Sequence, residues 1–322
     1  HPTRDFSLLS LRDHGCEIIS GLCEFYATLH FAGRLPGGEP WAAKQAAYRP
    51  HVHEMLDRIL ATGRNAHGLF YNAIRPRTGE VADQRLSDGW GYVLDGFLTV
   101  DLVDDKPAYR EAAIRALAGL DAHYRGHNWE PRPDLKAFPR GSMDGYADSI
   151  ESALNLYNRF TGVPAVASAA SWMDAEIRTL WSFQQENGLI EGWHGDGNFA
   201  RTTLMYCLWK SQGVTAQPWR SDLRFGAVRE GETLTLVVAA DQPWSGTLVF
   251  DRPRHAENLR LPADWARINQ FPEWFTVQRN RTYTVTAGTT SSQHTGAALA
   301  AGLPVTLGAG DRLVLTVTTD GR

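Results

Sequence analysis

Thr233-Leu234-Thr235-Leu236-Val237-Val238-Ala239 alternates side chains along the chain, the period-2 signature of a half-buried strand. Similar runs lie at Gly246–Phe250, Thr282–Thr286 and Arg312–Thr318. Turn sequences such as Arg229-Glu230-Gly231 and Leu307-Gly308-Ala309-Gly310-Asp311 separate them. Several short β-rich runs at this spacing predict an antiparallel β-sandwich over 219–322. The pattern changes near 218–224, around Pro218, with no Ser/Gly linker.

Upstream of that change the periodicity is helical. Leu8, Leu11, Ile18, Ile19, Leu22 and Phe25 predict a first helix over roughly 6–32, ended by Gly33 and Pro36-Gly37-Gly38. Further helices are expected at about 41–62, 89–103, 107–125, 145–160, 165–187 and 198–212. Gly68–Asn72 looks extended, and Arg75–Glu80 has turn chemistry. The helices come in pairs joined by alternating short and long loops, as in a stack of helical hairpins whose inner helices are covered by outer ones. The expected fold is therefore multidomain, α then β: an (α/α)-hairpin toroid over 1–218, followed by the sandwich.

The chain has 322 residues, 32 basic and 36 acidic side chains, and a formal net charge of −4. Apolar residues make up 43% and charged residues 21%, as in ordinary globular proteins. No run approaches the ~18 apolar residues of a membrane span, and mild acidity argues against a nucleic-acid binder. The basic set is nearly all Arg, the only lysines being Lys44, Lys106, Lys136 and Lys210. There are 11 Trp, 10 Tyr and 13 Phe. Rings and guanidinium forks suit a surface that stacks on and hydrogen-bonds a polar ligand. Cys16, Cys23 and Cys207 have no CxxC spacing, so buried free thiols are expected and no zinc knuckle. His51, His53 and Glu54 lack HExxH spacing, and no metal site is assigned. A Gly-rich phosphate loop, GxSxG and a Rossmann fingerprint are absent, and no cofactor is expected.

Four clusters carry candidate chemistry. The densest is Gly192-Trp193-His194-Gly195-Asp196-Gly197-Asn198-Phe199-Ala200-Arg201, with Tyr206 beyond it. His194 suits a general acid or base, whereas Asp196 or Asn198 could simply cap a helix. The second is Asp144-Gly145-Tyr146-Ala147-Asp148-Ser149-Ile150-Glu151, in which Asp148, Glu151 and Asn155 share one helix face. The third is Ser87-Asp88-Gly89-Trp90-Gly91-Tyr92, read either as an aromatic platform for a sugar or as core rings at a helix start. The fourth, Asp13-His14-Gly15, falls inside the first expected helix and reads as core packing.

Helical hairpins followed by a β-sandwich, with loops rich in Trp, Tyr, His, Asp and Asn, resemble the toroid-plus-sandwich carbohydrate-active enzymes. These include polysaccharide lyases of the chondroitin, heparin and alginate type and several glycoside hydrolases. His194, Asp196-Gly197-Asn198-Phe199 and Tyr206 are similar to the Asp-Gly-Ser-Phe stretch and later Tyr of the lyases. The chain departs from them in carrying Arg201 where those enzymes have a Gln-His pair.

The resemblance implies a bacterial, periplasmic or secreted enzyme that degrades an acidic polysaccharide or oligosaccharide by β-elimination. In that scheme Asn198 or Arg201 neutralises the uronate, His194 or Tyr146 takes the proton, and Tyr206 or Tyr146 protonates the leaving oxygen. A glycoside hydrolase would instead draw two carboxylates from Asp88, Asp144, Asp148, Glu151 and Asp196. A glycan-binding protein would only stack sugars on Trp90, Tyr92 and Trp193. Seven helices fall short of a closed ring, so an open toroid or the C-terminal part of a longer enzyme is expected.

Overall fold

The computed structural model describes residues 8–129, 143–190, 197–260 and 271–319. In chain order the first elements are β1 (Leu9–Ser10), α1 (His14–Ala32), α2 (Glu39–Thr62), β2 (Tyr71–Arg75), β3 (Glu80–Leu86), α3 (Trp90–Asp104) and α4 (Pro107–Tyr124). They are followed by α5 (Asp144–Arg159), α6 (Ser168–Ser182) and α7 (Asn198–Lys210). Then come β4 (Thr215–Gln217), β5 (Leu223–Glu230), β6 (Thr233–Ala240), β7 (Trp244–Val249), β8 (Thr282–Ala287), β9 (Thr290–Thr295), α8 (Gly296–Ala301), β10 (Leu303–Leu307) and β11 (Arg312–Thr319). Helices precede strands, as the sequence periodicity predicts, apart from a small sheet β1-β2-β3 among the helices. Two compact units divide between Thr203 and Leu204, within α7.

In the first unit α1 packs on α3 and α3 on α5, while α2, α4 and α6 pack on α1, α3 and α5 in turn. This is a row of α/α hairpins with the odd-numbered helices inside. The burial explains the order. Every residue of α3 from Trp90 to Asp101 is buried, as is every residue of α5 from Gly145 to Leu156 apart from the partly buried Asp148. A helix that is apolar on nearly all sides, as α3 is, must be covered on all sides, and α5 encloses the polar Ser149, Glu151, Ser152 and Asn155 along with its apolar residues. The few charges buried with them are paired: Arg159 Nη2 lies 2.7 Å from Asp95 Oδ1, and Arg110 holds Asp101. The close approach of α3 to α5 depends on Gly91. A Cβ there would collide with Ser152, whose Oγ also accepts the Gly91 N–H at 3.2 Å. Gly91→Ala is therefore expected to destabilise the unit by about 1–3 kcal/mol through overpacking, measurable as a lower urea midpoint at unchanged slope.

The first helix differs from its sequence reading. It begins at His14, so Gly15 lies in the first turn rather than in the interior. Its buried face is Cys16, Ile19, Cys23, Tyr26 and Ala27, whereas Ile18, Leu22 and Phe25 are exposed. The apolar positions thus form two stripes, and only one meets α3. Cys207 is exposed, in contrast to the expectation of three buried thiols. His53 makes no metal cluster with His51 and Glu54. Its Nε2 lies 2.7 Å from Asp104 Oδ2, a carboxylate that also accepts from Tyr26 and Arg49.

The second unit holds two antiparallel sheets, β10-β7-β4 and β5-β6-β11-β8-β9. In β6 the alternation decides the faces: Leu234, Leu236, Val238 and Ala240 are buried, and the residues between them are not. These join Trp244 and Leu248 of β7, Leu303, Val305 and Leu307 of β10, and Leu315 and Val317 of β11 in a single hydrophobic cluster. Both sheets therefore contribute to one core.

Candidate active site

The odd helices of the first unit begin at one place. Asp13 immediately precedes α1, Asp88 lies two residues before α3, Asp144 opens α5 and Asn198 opens α7. Asn198 Nδ2 donates to Asp144 Oδ1 at 3.1 Å, and Ser149 Oγ donates to the Asp88 carbonyl at 3.5 Å. Thr202 Oγ1 donates to the Ala147 carbonyl at 3.1 Å, fixing the first turns of α7 against α5. The positive ends of several helix dipoles thus converge on a group of carboxylates, which favours negative charge there.

Within the group the carboxylates differ. Glu151 is fully buried and is ion-paired by Arg201, which also reaches Asp148 Oδ1 at 3.3 Å. Tyr92 Oη donates to Glu151 Oε2 at 3.3 Å. Asp148 keeps a quarter of its side-chain surface, 25%, exposed. Burial pushes the Asp148 carboxyl well above the usual carboxylate range, reinforced by Asp88, Glu151 and Asp144 and opposed by Arg201. Burial also raises Asp88, with Asp13 adding to the shift and Arg12 opposing it. The Cys16 thiol is pushed up by burial and by Asp148 and Asp88, so it is not a ready thiolate.

Tyr146 is buried in the first turn of α5, its ring 5.6 Å from that of Phe183. Phe183, with Ser182, Gln184, Gln185, Glu186 and Asn187, lines a cavity of about 750 Å³. Tyr146 thus packs against one residue of the cavity lining, Phe183.

The structure brings together Asp88, Tyr92, Asp144, Tyr146, Asp148, Glu151, Asn198 and Arg201 from the sequence reading. Trp193, His194 and Asp196 lie outside the described residues. Trp90 is fully buried, which corrects the platform reading: a ring enclosed at the start of an inner helix offers no face to a sugar. Tyr92 is likewise enclosed, with its hydroxyl turned to Glu151. Tyr206 belongs to the second unit, where its ring packs 5.6 Å from Trp209. Asp13 precedes α1 instead of lying inside it, and Ser10 and Asp13 before an apolar-periodic run are the sequence signal of that helix start. Trp219, at 65% exposure, stands outside the core cluster.

No protein-family model matches this chain, and no curated protein matches it. Among solved structures, a β-arabinofuranosidase of family GH127 is similar at a TM-score of 0.24 and 11% identity. That likeness covers 92% of this chain and 70% of the other.

Proposed function

We propose that the chain is a carbohydrate-active enzyme, a glycoside hydrolase built on an open (α/α) toroid with a β-sandwich, that cleaves a neutral saccharide. The observation that carries this reading is the convergence of Asp88, Asp144, Asp148 and Glu151, with the Asp148 carboxyl pushed above the usual carboxylate range by burial and its acidic neighbours. Glycosidic cleavage uses two carboxyl groups in different protonation states. Asp148, whose protonated form is favoured by burial and by the acids around it, supplies its proton to the glycosidic oxygen as the C1–O bond breaks. Asp88 or Asp144 is the carboxylate that stabilises the oxocarbenium-like state and directs water to C1. Glu151 is a positioning residue: its pairing with Arg201 holds the guanidinium beside Asp148. Tyr146 and Asn198 flank the entrance and orient the sugar.

The lyase reading is weaker on the same residues. It needs a neutraliser for a uronate carboxylate, yet Arg201 is engaged by Glu151 and Asp148, and Asn198 by Asp144. A group of acids at the mouth also repels an anionic sugar.

Incubation of the full chain with a panel of neutral polysaccharides and aryl glycosides tests the reading. Release of saturated reducing sugars is expected. Products with the ultraviolet absorbance of an unsaturated uronate, formed from a uronan, would replace the hydrolase with a lyase. Binding without new chain ends would leave a glycan-binding protein.

A further inference from the structure

The second unit carries a separate cleft. A cavity of about 400 Å³ is lined by Leu204, Val214, Trp219, Leu223, Arg224 and Phe225, among others. Trp219 stands at it with 65% of its surface exposed. An exposed indole is ordinarily a mobile one, but here the chain on both sides is pinned. The Pro218 carbonyl accepts from the buried Trp244 Nε1 at 2.9 Å. Arg220 donates to the carbonyls of Gln242 and Pro243 at 2.9 and 3.0 Å and is paired with Asp222. A rigid aromatic loses little freedom when a ligand stacks on it, which is the condition for an anchor rather than a stray surface ring.

The charges around the ring select the ligand. Arg220 is neutralised by Asp222, and Arg224 by Asp241, whose Oδ2 lies 2.8 Å from Nη1. The remaining cation of the lining, Lys210, lies 4.1 Å above the Trp209 ring. Such a rim, its two arginines matched by carboxylates, presents oriented donors and acceptors rather than a block of like charge. That suits a neutral polyhydroxylated molecule with an apolar C–H face, and suits an anion or a cation poorly.

We propose that this cleft is a sugar-binding subsite, with Trp219 stacking on one ring of a neutral polysaccharide and the Arg224–Asp241 pair meeting its hydroxyls. The subsite rests on the carbohydrate reading of the first unit but is not part of its chemistry. It would hold polymer on the protein while the first unit cleaves.

Affinity electrophoresis of the full chain in gels containing arabinan, arabinoxylan or mixed-linkage β-glucan, with polygalacturonate as the anionic control, tests it. Retardation by at least one neutral polymer is expected. Trp219→Ala is expected to weaken it tenfold or more without moving the melting temperature, and to leave hydrolysis of small aryl glycosides unchanged. Retardation by no neutral polymer, or equal retardation of the variant, overturns the proposal. So does a shift from dimer to monomer in Trp219→Ala by light scattering, which would make the cleft a contact between copies. Asp148→Asn separates the two readings. Trp219-dependent retardation with no hydrolysis in the wild type sinks the hydrolase and leaves the subsite. Hydrolysis abolished by Asp148→Asn with no Trp219 effect does the reverse.

Discussion

Asp148→Asn is expected to lower kcat on polymeric substrate by about 10²–10⁴-fold, the range for loss of a positioned general acid, while the protein becomes more stable at neutral pH. Both effects have one cause. The folded protein holds the Asp148 carboxyl above its ordinary value through burial and the carboxylates of Asp88, Glu151 and Asp144. Between the ordinary and the raised value the folded state binds a proton that the unfolded chain has released. Stability therefore falls as pH rises through that window, and is regained on acidification below about pH 4, the unperturbed value. An Asn side chain cannot ionise, so the variant escapes the loss. Its melting temperature should match the wild type near pH 4 and exceed it near pH 7. The same proton sets the rate profile: wild-type kcat declines on the alkaline side as Asp148 ionises, and the variant loses that limb. Thermal unfolding and kcat measured across pH check both arms. A variant with wild-type turnover would remove Asp148 from the chemistry. A variant less stable near pH 7 than near pH 4, relative to wild type, would mean the carboxyl is ionised in the fold.

Arg201→Ala is expected to cost about 3–5 kcal/mol of stability, the usual result of breaking a buried ion pair from one side. Glu151 has no solvent-exposed side-chain surface, and Arg201 is its ion-pair partner. Without the guanidinium, Glu151 must stay charged in a low-dielectric site or take up a proton. Adding Glu151→Gln to Arg201→Ala should restore a large part of the loss, because the amide needs no counter-charge and still accepts from Tyr92. Urea unfolding of the two single variants and the double variant gives the coupling directly. If Arg201→Ala unfolds at the wild-type midpoint, the pair contributes nothing and the positioning role assigned to Glu151 falls with it. Activity is expected to drop in both single variants, since each loosens the Glu151–Arg201 pair that holds the guanidinium beside Asp148.

Much of the local structure was legible from spacing. The alternation in 233–239 placed Leu234, Leu236 and Val238 in a core, and they are there. Breakers such as Gly33, Gly63 and Gly162 separated the helices close to where they end. Asp88, Asp144, Asp148, Glu151, Asn198 and Arg201 were singled out because polar residues cluster before or along otherwise apolar helices. Other features were not legible for definite reasons. Trp90 flanked by glycines reads equally as a platform and as a ring packed where a neighbouring helix comes close. Gly91 against Ser152 shows the second case, and no local pattern announces a neighbour 61 residues away. Ile18, Leu22 and Phe25 look like the buried stripe of α1 because they are apolar, yet Cys16, Ile19 and Cys23 meet α3.

The sequence by itself determined the order of α then β, the period of each element and the list of side chains able to exchange protons. Those properties follow from residues within one or two turns of each other. Only the tertiary structure decided which carboxylates share a site and which of them is pushed toward its protonated form. Asp13, Asp88, Asp144 and Asn198 meet because the odd-numbered helices all start at one place. The ionisation of Asp148 depends on burial and on charges contributed by Asp88 before α3 and by residues of α5 and α7. Electrostatic energy scales with distance through space and with the loss of water around each charge, and neither quantity is written along the chain.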